Sequence, residues 1–191
     1  EEITQLALAA NDYPIDVLYF ADSLGSLNSH QLKNIINAFQ KGWRGELGIH
    51  THDNMGNAVS NSVKAVEFGV NWVDSTVTGM GRGPGNAQTE YIVLALERYR
   101  QNKGNPIKLL ELIRKRFKPM QNSFGWGTNF FYYLAGEYGI HPSYIQEMLI
   151  GSRFDEEDKL AVIDHLRKHG GNKFSVHTLD DALQFYNGAP R

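Results

Sequence analysis

The chain has 191 residues, 41% hydrophobic and 21% charged, with a formal net charge of −2. This ordinary globular composition carries neither the basic footprint of a nucleic-acid binder nor a polybasic membrane surface. No apolar run approaches the roughly 20 residues that span a bilayer, the N-terminus lacks a signal-peptide pattern, and the absence of cysteine excludes disulfides, thiolate zinc sites and cysteine nucleophiles.

The sequence opens on EEITQLALAAN, without an initiating methionine and already inside a helical pattern, so we expect the later part of a longer protein. ITQLALAA ends at the turn-rich Asn11-Asp12-Tyr13-Pro14. DVLYFA (16–21) reads as a strand. NSHQLKNIINAFQKG (28–42) reads as a helix, with Leu32, Ile35, Ile36 and Phe39 at helical spacing. ELGIHTH (46–52) is a second strand, residues 56–69 a second helix, VNWVDSTV (70–77) a third strand and residues 86–100 a third helix. Three successive βα units predict a parallel sheet with helices outside it. Asp22, His50, His52 and Asp74 then fall at or near C-terminal strand ends, the edge where α/β folds bind ligands.

QNKGNP (101–106) is a polar break. Beyond it, residues 107–119, 128–139, 143–151, 155–170 and 178–187 all read as helices, giving a helical unit over 106–191 after an α/β unit over 1–100. Ser143 and Asp155 are expected N-caps, and Gly139, Gly151 and Gly170 expected helix ends.

Side chains alternate across a strand, so in GIHTHDN (48–54) His50 and His52 share one face while Thr51 takes the other. Such a pair either holds a divalent cation or forms a plain polar face, and spacing alone leaves both open. Without cysteine, a metal would be bound by His, Asp, Glu or Asn, the donors of harder divalent ions and of zinc. The loop TVTGMGRGPGNAQTE (76–90) places glycine at 79, 81, 83 and 85, which allows close backbone approach to a ligand. Asn86 is expected to open the next helix as a cap or a ligand, with exposed amides that suit an anion. Arg82 in this loop either grips a substrate carboxylate or is solvated.

The run from GIHTHDN to GNAQTE (48–90), preceded by ADSLGSL (21–27), resembles the closing section of the DRE-TIM metallolyases. That superfamily includes hydroxymethylglutaryl-CoA lyase, isopropylmalate, homocitrate and citramalate synthases, and 4-hydroxy-2-oxovalerate aldolase. The resemblance implies a (β/α)₈ barrel whose last three units lie here. It implies that His50 and His52 bind a divalent metal with Asn86 as a further ligand, manganese being expected ahead of magnesium, zinc or cobalt. The family's first ligand, an Asp beside a catalytic Arg on the first barrel strand, has no counterpart in these residues, so this piece alone is expected to be inactive. Residues 119–149 resemble the helical extension of the aldolase branch, although Phe130, Phe131, Tyr132 and Tyr133 depart from its pattern. That branch implies an aldehyde dehydrogenase-type partner, with a homo-oligomer through the helical unit as the other expectation, while the absence of cysteine fits a cytoplasmic location. Biotin-dependent carboxyltransferases share the histidine strand, but the GMGRGPGN loop argues against them.

The expected chemistry is a retro-aldol lyase: a 2-oxo acid chelates the metal, which acts as a Lewis acid. Asp22 and Arg82 are the expected catalytic side chains. Asp22 and Asp74 are expected to orient the two imidazoles. A Claisen-type acyl-CoA synthase or lyase of the same superfamily, and a non-catalytic binding module derived from the barrel, are the alternatives. His30, His141, His165, His169 and His177 are expected to be solvated or capping, and Trp43, Trp72 and Trp126 to pack.

Overall fold

A computed structural model describes residues 1–99, 104–150 and 152–187. Helix α1 (Glu2–Ala10) leads into β1 (Val17–Asp22), α2 (Ser29–Gly42), β2 (Glu46–Thr51), α3 (Ala58–Glu67), the short β3 (Trp72–Val73) and α4 (Thr89–Ala95). The three strands pair in parallel in the order β1-β2-β3, with Ala21 opposite His50 and Ile49 opposite Val73. This is the α/β arrangement that the alternation of elements predicts.

Local chemistry explains the boundaries. Asn28 accepts from the backbone N–H of His30 and Gln31 while the Gln31 side chain accepts from Asn28 N–H, a capping box that starts α2. Gly42 ends α2 against α1. A Cβ there would lie 2.5 Å from the Thr4 carbonyl oxygen, so only glycine lets the two helices approach this closely. Leu32, Ile36, Leu47, Ile49, Ala65 and Val70 fill the space between sheet and helices. The third strand is shorter than predicted. After Val73 the ladder ends with Asp74 N–H donating to the Ile49 carbonyl, and the chain next pairs at the Thr76–Gln88 bridge. Trp72 on β3 is half exposed rather than packed, whereas Trp43 is buried and donates to the Glu46 carbonyl.

From Pro106 onward the described residues form helices and loops: α5 (Pro106–Leu112), α6 (Lys118–Phe124), α7 (Phe130–Glu137), α8 (Pro142–Leu149), α9 (Glu156–His169) and α10 (Val176–Asn187). The helix expected over 107–119 continues to Phe124 through a π-turn at Ile113–Phe117. Pro119 lacks the N–H that would reach the Lys115 carbonyl and its ring crowds that carbonyl, so the preceding turn widens. Asp155 and Asp158 form the capping box of α9, and Gly170 ends that helix as expected. Ser143 is not the cap of α8. His141 takes that place, its Nδ1 accepting from Ser143 N–H with Pro142 in the first turn. Gly139, at φ 65°, follows the end of α7, while Gly151 and residues 100–103 of the polar break lie outside the described residues. Tyr144, Ile145, Met148, Val162, Ile163 and Leu166 centre a separate helical core. Among the described residues no helix is long and apolar enough to cross a membrane.

Candidate active site

The site grows from the C-terminal end of β2. Thr51 turns inward, where its hydroxyl pairs with Ser62 at 2.9 Å and donates to the Ala58 carbonyl, fixing β2 against α3. His50 and His52 therefore project together to the other face, ring centroids 4.9 Å apart and nearly perpendicular.

Their outer partners set the tautomers. The His52 Nδ1 lies 2.9 Å from the Asp22 carbonyl oxygen, which only accepts, so the proton resides on Nδ1 and the Nε2 lone pair is open. The His50 Nδ1 lies 3.2 Å from a carboxylate oxygen of Asp74, with the same consequence. Asp74 orients His50 as anticipated. Asp22 orients His52 differently: its backbone does so, while its buried carboxylate accepts from Ser26 and Leu27 N–H and closes the turn after β1. Burial raises the Asp22 pKa, opposed by those turn amides and by His52. The Asp22 carboxylate thus serves its own turn, and its link to His52 runs through the backbone.

The glycine loop closes over the imidazoles. Asn86 does not open α4, which starts three residues later at Thr89. It forms an antiparallel bridge with His52 instead, held by Asp53 N–H donating to Gly85 and Ala87 N–H to Thr51. The Asn86 Nδ2 donates to the Met80 carbonyl, which leaves Oδ1 as its acceptor. Thr78 adopts a left-handed φ of 56°, its N–H donating to Glu90. The helical half pins this loop: Trp126 Nε1 donates to the Thr78 carbonyl, Gly127 N–H to Gly83, and the Thr128 hydroxyl to Asn54.

A cleft of about 350 Å³ results, with His50, His52, Asn86 and Arg82 all on its wall. Four of the five expected site residues thus line one cleft, and Asp22 meets it through its backbone carbonyl on His52. Ser23, Asn54, His141 and Gln146 line the same cleft and were not legible as site residues, the last two because their place depends on how α8 docks. Burial and the nearby Arg82 charge hold the His141 pKa below its ordinary 6.5. As pH falls through 6.5 the unfolded chain takes the proton first, so the stability from this neutral cap, complete above 6.5, drains away toward the lower folded-state pKa. His141→Asn keeps an acceptor at the cap. It should flatten the fall in Tm between about pH 7.5 and pH 5.5, and parallel Tm profiles for the two proteins would refute this.

No group of three or more His, Asp or Glu side chains gathers among the described residues. The donor set nevertheless suits a divalent cation: two imidazoles with Nδ1 engaged and Nε2 open, beside the Asn86 amide oxygen.

A family model described as HMGL-like matches residues 1–115. A 4-hydroxy-2-oxovalerate aldolase from Geobacillus stearothermophilus is 33% identical over 121 residues, 63% of this chain and 35% of its own length. The aldolase of that name from Carboxydothermus hydrogenoformans is 27% identical over 184 residues, 91% of this chain and 52% of its own. The chain thus spans about a third to a half of these relatives. In structure it is similar to the N-terminal domain of a candidate aldolase from Bacteroides vulgatus, at a TM-score of 0.69 and 29% identity, covering 78% of this chain and 49% of that one. With more than half of its length matched by the family model and its parallel α/β fold shared with that neighbour, the chain belongs to the HMGL-like, DRE-TIM family.

Proposed function

We propose that this chain is the C-terminal portion of a divalent-metal-dependent aldolase that cleaves or forms the C3–C4 bond of a 4-hydroxy-2-oxo acid, releasing or consuming pyruvate. Residues 1–100 would supply the last βα units of a (β/α)₈ barrel and residues 106–191 a helical domain. The carrying observation is the pair of imidazoles on one face, each with Nδ1 engaged by an outer acceptor. The names of the aldolase relatives support the reaction class.

In this reading His50 and His52 hold the cation through Nε2, and Asn86 Oδ1 completes what the chain offers. A bound divalent ion, manganese before magnesium, zinc or cobalt, would supply Lewis-acid polarisation of the 2-oxo group. Asp74 and the Asp22 carbonyl engage the two Nδ1 atoms and so aim the Nε2 atoms. Arg82 on the cleft wall binds the substrate carboxylate. We place the base for the C4 hydroxyl, and a carboxylate ligand, outside these residues. A cytoplasmic location, and an aldehyde dehydrogenase-type partner or second copy met through the helical half, complete the proposal.

The test is an assay of full-length protein with manganese. Pyruvate release from 4-hydroxy-2-oxo acids is expected. Thiol release from acetyl-CoA plus a 2-oxo acid, without pyruvate release, would transfer the site to Claisen chemistry. Neither reaction and no metal uptake would leave a binding module.

A further inference from the structure

We infer that the cleft selects a 4-hydroxy-2-oxo acid with a hydroxylated tail, and that Asn54 and Gln146 read its hydroxyl groups. This deepens the aldolase reading and rests on it.

The wall is dominated by hydrogen-bonding side chains. Its apolar members are Gly83 and the rings of Pro84 and Pro142, and every other described residue that lines it carries a polar side chain. A hydrocarbon tail here would strip water from polar groups and return no hydrogen bonds. The wall also lacks a carboxylate, because Asp22 is committed to its turn and Asp74 to His50. Beside Arg82, the neutral donors and acceptors of this wall suit an anion with a polar tail.

Asn54 supplies an independent observation. It is fully buried, lines the cleft, and neither its Oδ1 nor its Nδ2 has a partner within the protein. Buried amides are ordinarily satisfied, and one left open on both functions points to a ligand that completes it. Its position is fixed. Its backbone carbonyl accepts from the Thr128 hydroxyl, and its side chain lies so close over Gly25 that a Cβ there would be 2.6 Å from Oδ1. A carboxamide offers a donor and an acceptor together, the complement of neighbouring hydroxyl groups. Gln146 brings a second carboxamide to the same cleft from α8, where buried Tyr144, Ile145 and Met148 anchor the helix in the helical core.

Binding is measured first, with ligands that lack the 4-hydroxyl and so cannot be cleaved. Calorimetric titration of full-length protein with 5,6-dihydroxy-2-oxohexanoate and with 2-oxohexanoate should show the diol binding about tenfold tighter or better, since a site built around hydroxyl groups penalises the ligand that lacks them. In Gln146→Leu the ratio should collapse toward one, through loss of diol affinity alone. Equal affinities in the unsubstituted protein, or tighter binding of 2-oxohexanoate, overturn the inference even if the variant fails to fold. Turnover is then compared for 4,5,6-trihydroxy-2-oxohexanoate and 4-hydroxy-2-oxohexanoate. In each, the C4 hydroxyl loses its proton, the C3–C4 electron pair passes to C3, and C3 takes up a proton. The products are pyruvate with glyceraldehyde from the first and pyruvate with propanal from the second. Diol-selective binding without pyruvate release sinks the aldolase reading and spares the cleft's preference. Pyruvate release from both at equal kcat/KM sinks the preference and spares the aldolase.

Discussion

His52→Ala in the full-length protein is expected to lose divalent-metal binding and to lower kcat/KM by about 10³-fold or more. A metal contributes several kcal/mol of transition-state stabilisation, and each 1.36 kcal/mol is about tenfold in rate. The substitution removes one of two open imidazole nitrogens and leaves the Asp22 carbonyl without its donor. Asp74→Asn should cost less, about 10- to 100-fold, because it loosens the orientation of His50 without removing a ligand. Elemental analysis of the purified variants alongside turnover separates the cases. Unchanged metal content in His52→Ala would remove the metal centre from this strand.

Gly85→Ala is expected to be the most damaging single-methyl change in the site, costing about 2–4 kcal/mol of stability. Gly85 sits at φ 80°, and an added Cβ would lie 2.3 Å from the Gly79 carbonyl oxygen, a backbone atom that cannot rotate away. The left-handed conformation alone costs an L-residue about 1–2 kcal/mol, and relieving the clash shifts the loop that carries Asn86 to His52. Thermal melts should show a Tm lower by about 5–15 °C together with weaker metal binding. By contrast, a Cβ at Gly56, also at positive φ, meets nothing within 4 Å, so Gly56→Ala isolates the conformational cost. Equal losses for the two variants would mean that the crowding at Gly79 contributes nothing.

Much of this was readable from residues alone, for identifiable reasons. Period-two alternation placed His50 and His52 on one face, since β2 is regular and buried around them. The Asp155 cap that starts α9 is local chemistry within four residues and stands where expected. Features that depend on tertiary contact were hidden. Asn86 looks like a helix cap, yet Gly85 and Ala87 pair with the end of β2 and pull it out of the helix. The Asp22 carboxylate looks available for chemistry until its own turn claims it. Ser143 is an obvious cap by type, but an imidazole two residues earlier reaches the free amide first. Asn54 could not be singled out, because an unsatisfied amide is a property of surroundings rather than of sequence.

The bonds from residues 126–128 to the glycine loop bear on how the protein assembles. Trp126 and Thr78 are 48 positions apart, and Thr128 and Asn54 are 74 apart, so each closes a long stretch of chain. The entropy of such closures is paid before the contacts return anything, which places them late among folding events. The strand pairings, such as Val17 with Glu46, close shorter stretches than these, and the cleft has its full wall only when residues 126–128 reach the glycine loop. On a nascent chain His50 and His52 are made before Trp126, Thr128 and Gln146, so the part of the cleft wall that the helical half supplies can form only after the two imidazoles exist.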